Sequence, residues 1–314
     1  MPLLQVNALG SQPVAAGGDS DLVARIAAHA ARLAPGAPVT VMIHGFRFSP
    51  FSAPHSPHEH ILSLDPAEPC ARVPSWPRHL GFGRDPAAGL AVAFGWHARG
   101  TLWQAWAEAP RAGAALAALI GMLRRALPDR PVDIVAHSLG ARVALAALPL
   151  LASGDVGRMV LMTAADLRAR AAAAIDTPAG RAALVLNVTT RENDLFDAGL
   201  ELAVAGGLRR GLGHGLPAPR ANWIDLQLDH DRTPAALAAL GIRLGAPARR
   251  ICHWSAYLRP GIFALYRGIL HDRDRFDAAR LRAALTGNHA PRWSRLLPRP
   301  TLRAPFAGLG SPQA

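Results

Sequence analysis

The apolar, β-branched run Pro131-Val132-Asp133-Ile134-Val135 gives way to a helical pattern across only five residues, Ala136-His137-Ser138-Leu139-Gly140. A chain that passes from strand to helix in so short a span needs small residues two before and two after the turn, or the two elements cannot approach. Ala136 and Gly140 fill those places, with one extra methyl group at Ala136 where glycine is the usual residue. The arrangement marks Ser138 as a candidate nucleophile on a strained strand-to-helix turn. An ordinary N-capping serine at the start of a helix is the alternative. Behind the turn, Ala141, Val143, Ala144, Ala146 and Ala147 offer a small-residue surface suited to close packing on a sheet.

The periodicity on either side of this turn predicts repeated alternation of strand and helix, hence an α/β fold with a mostly parallel central sheet flanked by helices. Strands are expected at residues 3–8, 38–43, 90–94, 131–135, 159–162, 183–188 and 223–228. Helices are expected at 20–33, opened by Ser20-Asp21, and at 104–126, 166–175, 233–241 and 260–270. Residues 47–88 carry much Pro, His and Gly with little periodicity, and 200–220 are Gly-rich and basic, so both read as loops near the pocket. The expected organisation is one domain over residues 1–290 with loop insertions near 47–88 and 200–220, followed by a basic, Pro-containing tail over 291–314 that includes Arg292, Arg295, Arg299 and Arg303.

A second segment bears on the chemistry. Pro38-Val39-Thr40-Val41-Met42-Ile43 stops at His44-Gly45-Phe46, and Phe94-Gly95-Trp96 follows another strand. With the Ala-His-Ser-Leu-Gly turn and the stretch from Leu186-Asn187-Val188-Thr189 to Asp194, these motifs make the chain from about residue 38 to about 270 resemble the α/β-hydrolase superfamily of serine hydrolases. Within it they are similar to a bacterial branch with no assigned substrate.

The resemblance implies a cofactor-free serine hydrolase cleaving a carboxylic ester through an acyl-enzyme. It places an oxyanion hole at the backbone N–H groups of Phe46 and Leu139. It also implies the chain order serine, acid, histidine. Asp194, in Arg191-Glu192-Asn193-Asp194-Leu195-Phe196, is the expected acid. Asp166 after the 159–162 strand, Glu192 and Asp197 are the other candidates. Of the histidines beyond the acid, His253, just before the last core helix and flanked by Trp254 and Tyr257, is the expected base, with His230 as the alternative. His137, although next to Ser138, is expected to point away from it. A thioesterase, amidase or acyltransferase would use the same groups, and a non-catalytic binding protein on this fold is the competing class.

Composition narrows the partners. The formal charge of +12 comes from arginine alone, because the chain has no lysine. The arginines are scattered, with pairs such as Arg124-Arg125, Arg209-Arg210 and Arg249-Arg250 and no interleaved aromatic run, so specific nucleic-acid binding is not expected. The expected partner is a small acyl ester, and the oligomeric state is left open. His55, His58 and His60 lack a Cys or helical His partner, so no metal is expected. Gly10 and Gly17-Gly18 do not make a phosphate loop, and Trp96, Trp103 and Trp106 read as packing. Cys70 and Cys252, without metal spacing, suggest no structural disulfide, and no stretch reaches membrane-spanning length; a cytoplasmic location is the corresponding expectation.

Overall fold

The computed structural model describes residues 3–18, 21–66, 73–83, 85, 88–247, 249–285, 287 and 289–297. Ser20, Cys70 and the tail from 298, with Arg299 and Arg303, lie outside the described residues. The elements in chain order are β1 (Leu3–Leu9), β2 (Gln12–Ala15), α1 (Leu22–Ala30), β3 (Val39–Ile43), α2 (Trp76–His79), β4 (Leu90–Gly95), α3 (Leu102–Ala126), β5 (Val132–His137), α4 (Leu139–Ala147) and β6 (Val156–Met162). They continue with α5 (Arg168–Ile175), α6 (Pro178–Ala182), β7 (Leu184–Thr189), α7 (Asp194–Ala205), β8 (Trp223–Gln227), α8 (Thr233–Ala239), α9 (Ser255–Leu258), α10 (Ile262–His271) and α11 (Ala278–Leu285).

The eight strands form one sheet in the order β2-β1-β4-β3-β5-β6-β7-β8, parallel throughout except for the β1–β2 hairpin. This helix-flanked α/β architecture is consistent with an α/β-hydrolase-like fold. Strand alternation divides the core in two, because successive side chains point to opposite faces. Val39, Val41 and Ile43 join Val92, Ile134 and Leu161 beneath α1, α3 and α4. Met42, Ala93, Val135 and Val160 face the other layer, built from α2 and α8 to α11 with Trp76, Tyr257 and Tyr266. With both faces covered, the central strands are continuously buried, which explains their apolar runs.

Helix α3 starts with a full capping box between Thr101 and Gln104 and runs 25 residues with Pro110 inside it. Against it lies α4, where Gly113 leaves no room for a side chain: a Cβ there would stand 2.7 Å from Ala146 Cβ. The small residues of α4 therefore serve contact with α3 as well as with the sheet.

Three departures from the sequence reading have physical causes. β2 is a short edge strand, its signal masked by Pro13 in a position only an edge tolerates. Residues 200–205, expected as loop, belong to α7, which ends only at Gly206 in the left-handed conformation at φ 58°. Helices α9 and α11, of four and eight residues, are too short for a helical period to stand out in the sequence. The 47–88 segment does lack long elements: two single 3-10 turns at Ala53–His55 and Pro57–Glu59 and the one-turn α2 are its regular structure among the described residues.

Candidate active site

Ser138 joins β5 to α4 with φ 54° and ψ −125°, a conformation that side-chain-bearing residues rarely adopt. Its N–H donates to the Met162 carbonyl at 3.0 Å, and its carbonyl accepts from Ala165 N at 3.0 Å, so the end of β6 and the residues just after it hold the strained turn in place. Close packing supplies the rest. A Cβ on Gly140 would stand 2.6 Å from the carbonyl oxygens of both Ile43 and His44, and one on Gly45 would stand 2.8 Å from Ser138 Cβ. The loop after β3 thus lies directly against the serine.

That loop is fixed by buried polar bonds. Trp96 N donates to His44 Nε2 at 3.1 Å, which leaves Nδ1 as the protonated ring nitrogen, donating to Gly45 O at 2.8 Å. The Trp96 indole N–H donates to His44 O at 2.9 Å, and the two rings stack at 5.8 Å. Burial pushes the His44 pKa down to about 3, so the ring stays neutral in this role. Phe46 and Leu139 both border the cavity above Ser138. Among the described residues neither backbone N–H has a protein acceptor, so both are free to donate into the cavity.

His253 Nε2 lies 2.9 Å from Ser138 Oγ. The histidine sits between β8 and α9. Its carbonyl accepts from His137 Nε2 at 3.2 Å and Thr163 Oγ1 at 3.1 Å, while the preceding Cys252 N donates to Glu192 O at 2.9 Å. Phe196 stacks on its ring with centroids 4.8 Å apart. Burial, with the adjacent His137 adding to it, holds the His253 pKa well below the usual histidine range, so its neutral form persists into mild acid. His137, itself lowered to about 4 by burial, commits its Nε2 to the His253 carbonyl and so anchors the loop. His230 instead accepts from Arg232 N at 3.2 Å beyond β8.

The partner of His253 departs from expectation. His253 Nδ1 meets Asn193 Oδ1 at 2.6 Å, and Asp194 is not its partner. The Asp194 carboxylate lies 3.1 Å from Arg191 Nη1 and accepts from Trp293 N at 2.6 Å, so it ties the start of α7 to the C-terminal segment. Of the other acid candidates, Asp197 accepts from Asn193 Nδ2 at 2.9 Å and does not reach the imidazole, while Glu192 and Asp166 are engaged elsewhere. Glu192 pairs with Arg259 at 2.9 Å, and Asp166 pairs with Arg142 at 3.1 Å and accepts from Leu167 N. The loop expected to supply an acid does face His253, but through the amide of Asn193 and not through a carboxylate. The register of the 3-10 turn Arg191–Asn193 before α7 decides which side chain faces the imidazole, and only the turn's polar run Arg191-Glu192-Asn193-Asp194 hinted at it.

The cavity above these groups measures about 420 Å³. Its walls are largely apolar, with Phe48, Ile61, Leu102, Leu200 and Tyr257 among them, and Leu195, Phe196 and Trp254 stand partly exposed beside it. The histidine cluster of the 47–88 loop does not assemble: His58 Nε2 bonds Asn7 Oδ1 at 2.6 Å, and among the described residues no group of His, Cys, Asp and Glu is placed to hold a metal ion. Cys252 is a buried free thiol, and Trp103 is exposed while Trp96 is enclosed. No helix among the described residues is long and apolar enough to cross a membrane. The chain matches no known protein family and no curated protein.

Proposed function

We propose that this chain is a serine hydrolase of α/β-hydrolase type that cleaves a carboxylic ester through an acyl-enzyme intermediate. The observation that carries the reading is Ser138, strained at φ 54°, with Oγ 2.9 Å from His253 Nε2 and facing an apolar cavity. With Nδ1–H donated to Asn193 Oδ1, Nε2 is left as the acceptor for the serine proton. Ser138 Oγ then attacks the ester carbonyl as its proton passes to His253, and the carbonyl oxygen collects negative charge between the Phe46 and Leu139 amides. The imidazolium returns its proton to the leaving alcohol, and water, deprotonated by the same ring, releases the acid. Thioesters and amides would enter by the same chemistry.

Covalent labelling with a fluorophosphonate, followed by intact mass and peptide mapping, tests the proposal. Wild-type protein is expected to label at Ser138, Ser138→Ala not at all, and His253→Ala at least about a thousandfold more slowly. His230→Ala is expected to label like wild type. A folded wild-type protein that does not label would leave the non-catalytic reading in its place.

A further inference from the structure

An amide in the third position raises a problem that a carboxylate would not. Both oxygens of a carboxylate accept, whereas only one end of an amide does, and the two ends are alike in shape. With Asn193 turned over, its NH₂ group would face His253 Nδ1 as a donor. The ring would then carry its proton on Nε2, and Ser138 would lose its base.

One contact decides the orientation. Asn193 Nδ2 donates to Asp197 Oδ1 at 2.9 Å, one helical turn further along α7. An ionised carboxylate accepts and cannot donate, so it takes the NH₂ end and leaves Oδ1 to the imidazole. Asn193 and Asp197 are both buried, which strengthens the bond between them.

We propose, building on the serine-hydrolase reading, that Asp197 is the positioning acid of this site: it holds the Asn193 amide with its oxygen on His253 Nδ1 and thereby fixes the imidazole tautomer that activates Ser138. The order Ser138, His253, Asn193, Asp197 is a four-membered relay in which the carboxylate stands one side chain further from the imidazole than in a three-membered one. The surroundings are shaped to keep it there. A methyl group at Gly213 would overlap the Asp197 carboxylate, so the loop after α7 approaches it as bare backbone. Arg191, from the turn before α7, and Arg292, from the C-terminal segment, favour its ionised form, while Asp194 on the same helix opposes it. Burial outweighs these and raises its pKa to about 7.

The test compares fluorophosphonate labelling rates at Ser138 for wild type, Asn193→Ala, Asp197→Ala, Asp197→Asn and the Asn193→Ala/Asp197→Ala double variant, with the fold checked by circular dichroism. Asp197→Ala is expected to slow labelling about tenfold to a hundredfold, the range seen when a group that orients another ligand is removed. Asp197→Asn is expected to recover part of the loss, since its own amide oxygen can face Nδ2.

In the Asn193→Ala background, Asp197→Ala is expected to add nothing, because the residue it acts through is already gone. A carboxylate that merely stabilised the helix would add its effect in either background. The wild-type labelling rate is expected to step upward through pH 7 as Asp197 ionises, and the step is expected to be absent in Asp197→Asn. Wild-type rates in Asp197→Ala, or full additivity in the double variant, would overturn the proposal and leave the hydrolase reading standing. Absent labelling of folded wild-type protein, or labelling indifferent to His253→Ala, would overturn both. Should Asp197→Ala not fold, Asp197→Asn takes its place in the comparison, and its slowing is expected to vanish in the Asn193→Ala background.

Discussion

Gly140→Ala tests whether the geometry around Ser138 depends on close approach of α4 to the end of β3. The new Cβ would stand 2.6 Å from the carbonyl oxygens of Ile43 and His44 and 3.1 Å from Ile43 C, all of them backbone atoms that cannot rotate aside. Ordinary contact begins near 3.4 Å, so α4 and β3 must separate by about 0.8 Å. Both sides of that gap belong to the site. Leu139 opens α4 beside Ser138, and Phe46 follows His44 by two residues. The separation therefore pulls the two proposed oxyanion donors apart and draws Ser138 Oγ from His253 Nε2, now 2.9 Å away. Overpacking of this kind costs about 1–3 kcal/mol, which lowers the unfolding midpoint by about 2–6 °C. The displacement approaches the scale at which rates fall about a hundredfold, and fluorophosphonate labelling at Ser138 is expected to drop by about that factor. Gly121→Ala is the control: its Cβ first meets the end of Arg125 at 3.5 Å, and alanine inside α3 gains about 1 kcal/mol in helix propensity. A Gly140→Ala protein that unfolds with the wild type and labels at its rate would refute the account of the turn.

Trp96→Phe removes the indole N–H that His44 O accepts at 2.9 Å and is expected to cost about 1 kcal/mol in chemical denaturation while slowing labelling, since the Phe46 amide loses its support. In Asp197→Asn, which lacks the step near pH 7, labelling is expected to show no falling limb at the usual histidine value of 6.5, because the depressed pKa of His253 keeps its neutral base form available below it. Stability behaves differently. His44, His58 and His137, held down to about 3, 4 and 4 by burial, contribute stability above pH 6.5 that is lost as pH falls toward those values, about 2 kcal/mol each by pH 5. Asp133 and Asp197, raised to about 6 and about 7, return part of this as they protonate, so thermal unfolding between pH 7 and 5 is expected to show a net fall in midpoint.

The sheet was legible because parallel strands buried on both faces leave unbroken apolar runs, as in Val39–Ile43 and Leu90–Gly95, and the turn at Ser138 because its small flanking residues follow from sterics. The pairing of His253 with Ser138 followed from a resemblance, and no periodicity in the residues themselves carried it. Asn193 was illegible for a geometric reason. Arg191 to Asp194 form a single tight turn into α7, and one residue of register decides whether a side chain faces His253 or Arg191. The bonds that make the loop rigid are equally long-range: Trp293 N reaches Asp194 across 99 positions, and Thr163 reaches the His253 carbonyl across 90.

Rigidity also explains how a neutral amide can stand where a carboxylate was expected. A bond from Nδ1–H to an uncharged oxygen is about half as strong as one to a carboxylate and does not favour the imidazolium, in keeping with the depressed pKa of His253. The ring's orientation must then come from its framework. His137 and Thr163 fix the His253 backbone, Phe196 covers one face of the ring, and the carboxylates around Asn193 clamp its loop. Glu192 ties it to Arg259, Asp194 to Trp293 N, and Glu201 to Arg292 at 2.8 Å and Gly211 N at 2.9 Å. The acids that sequence would enlist for charge are thus used for position, and the group left to face the imidazole needs only an oxygen held in the right direction.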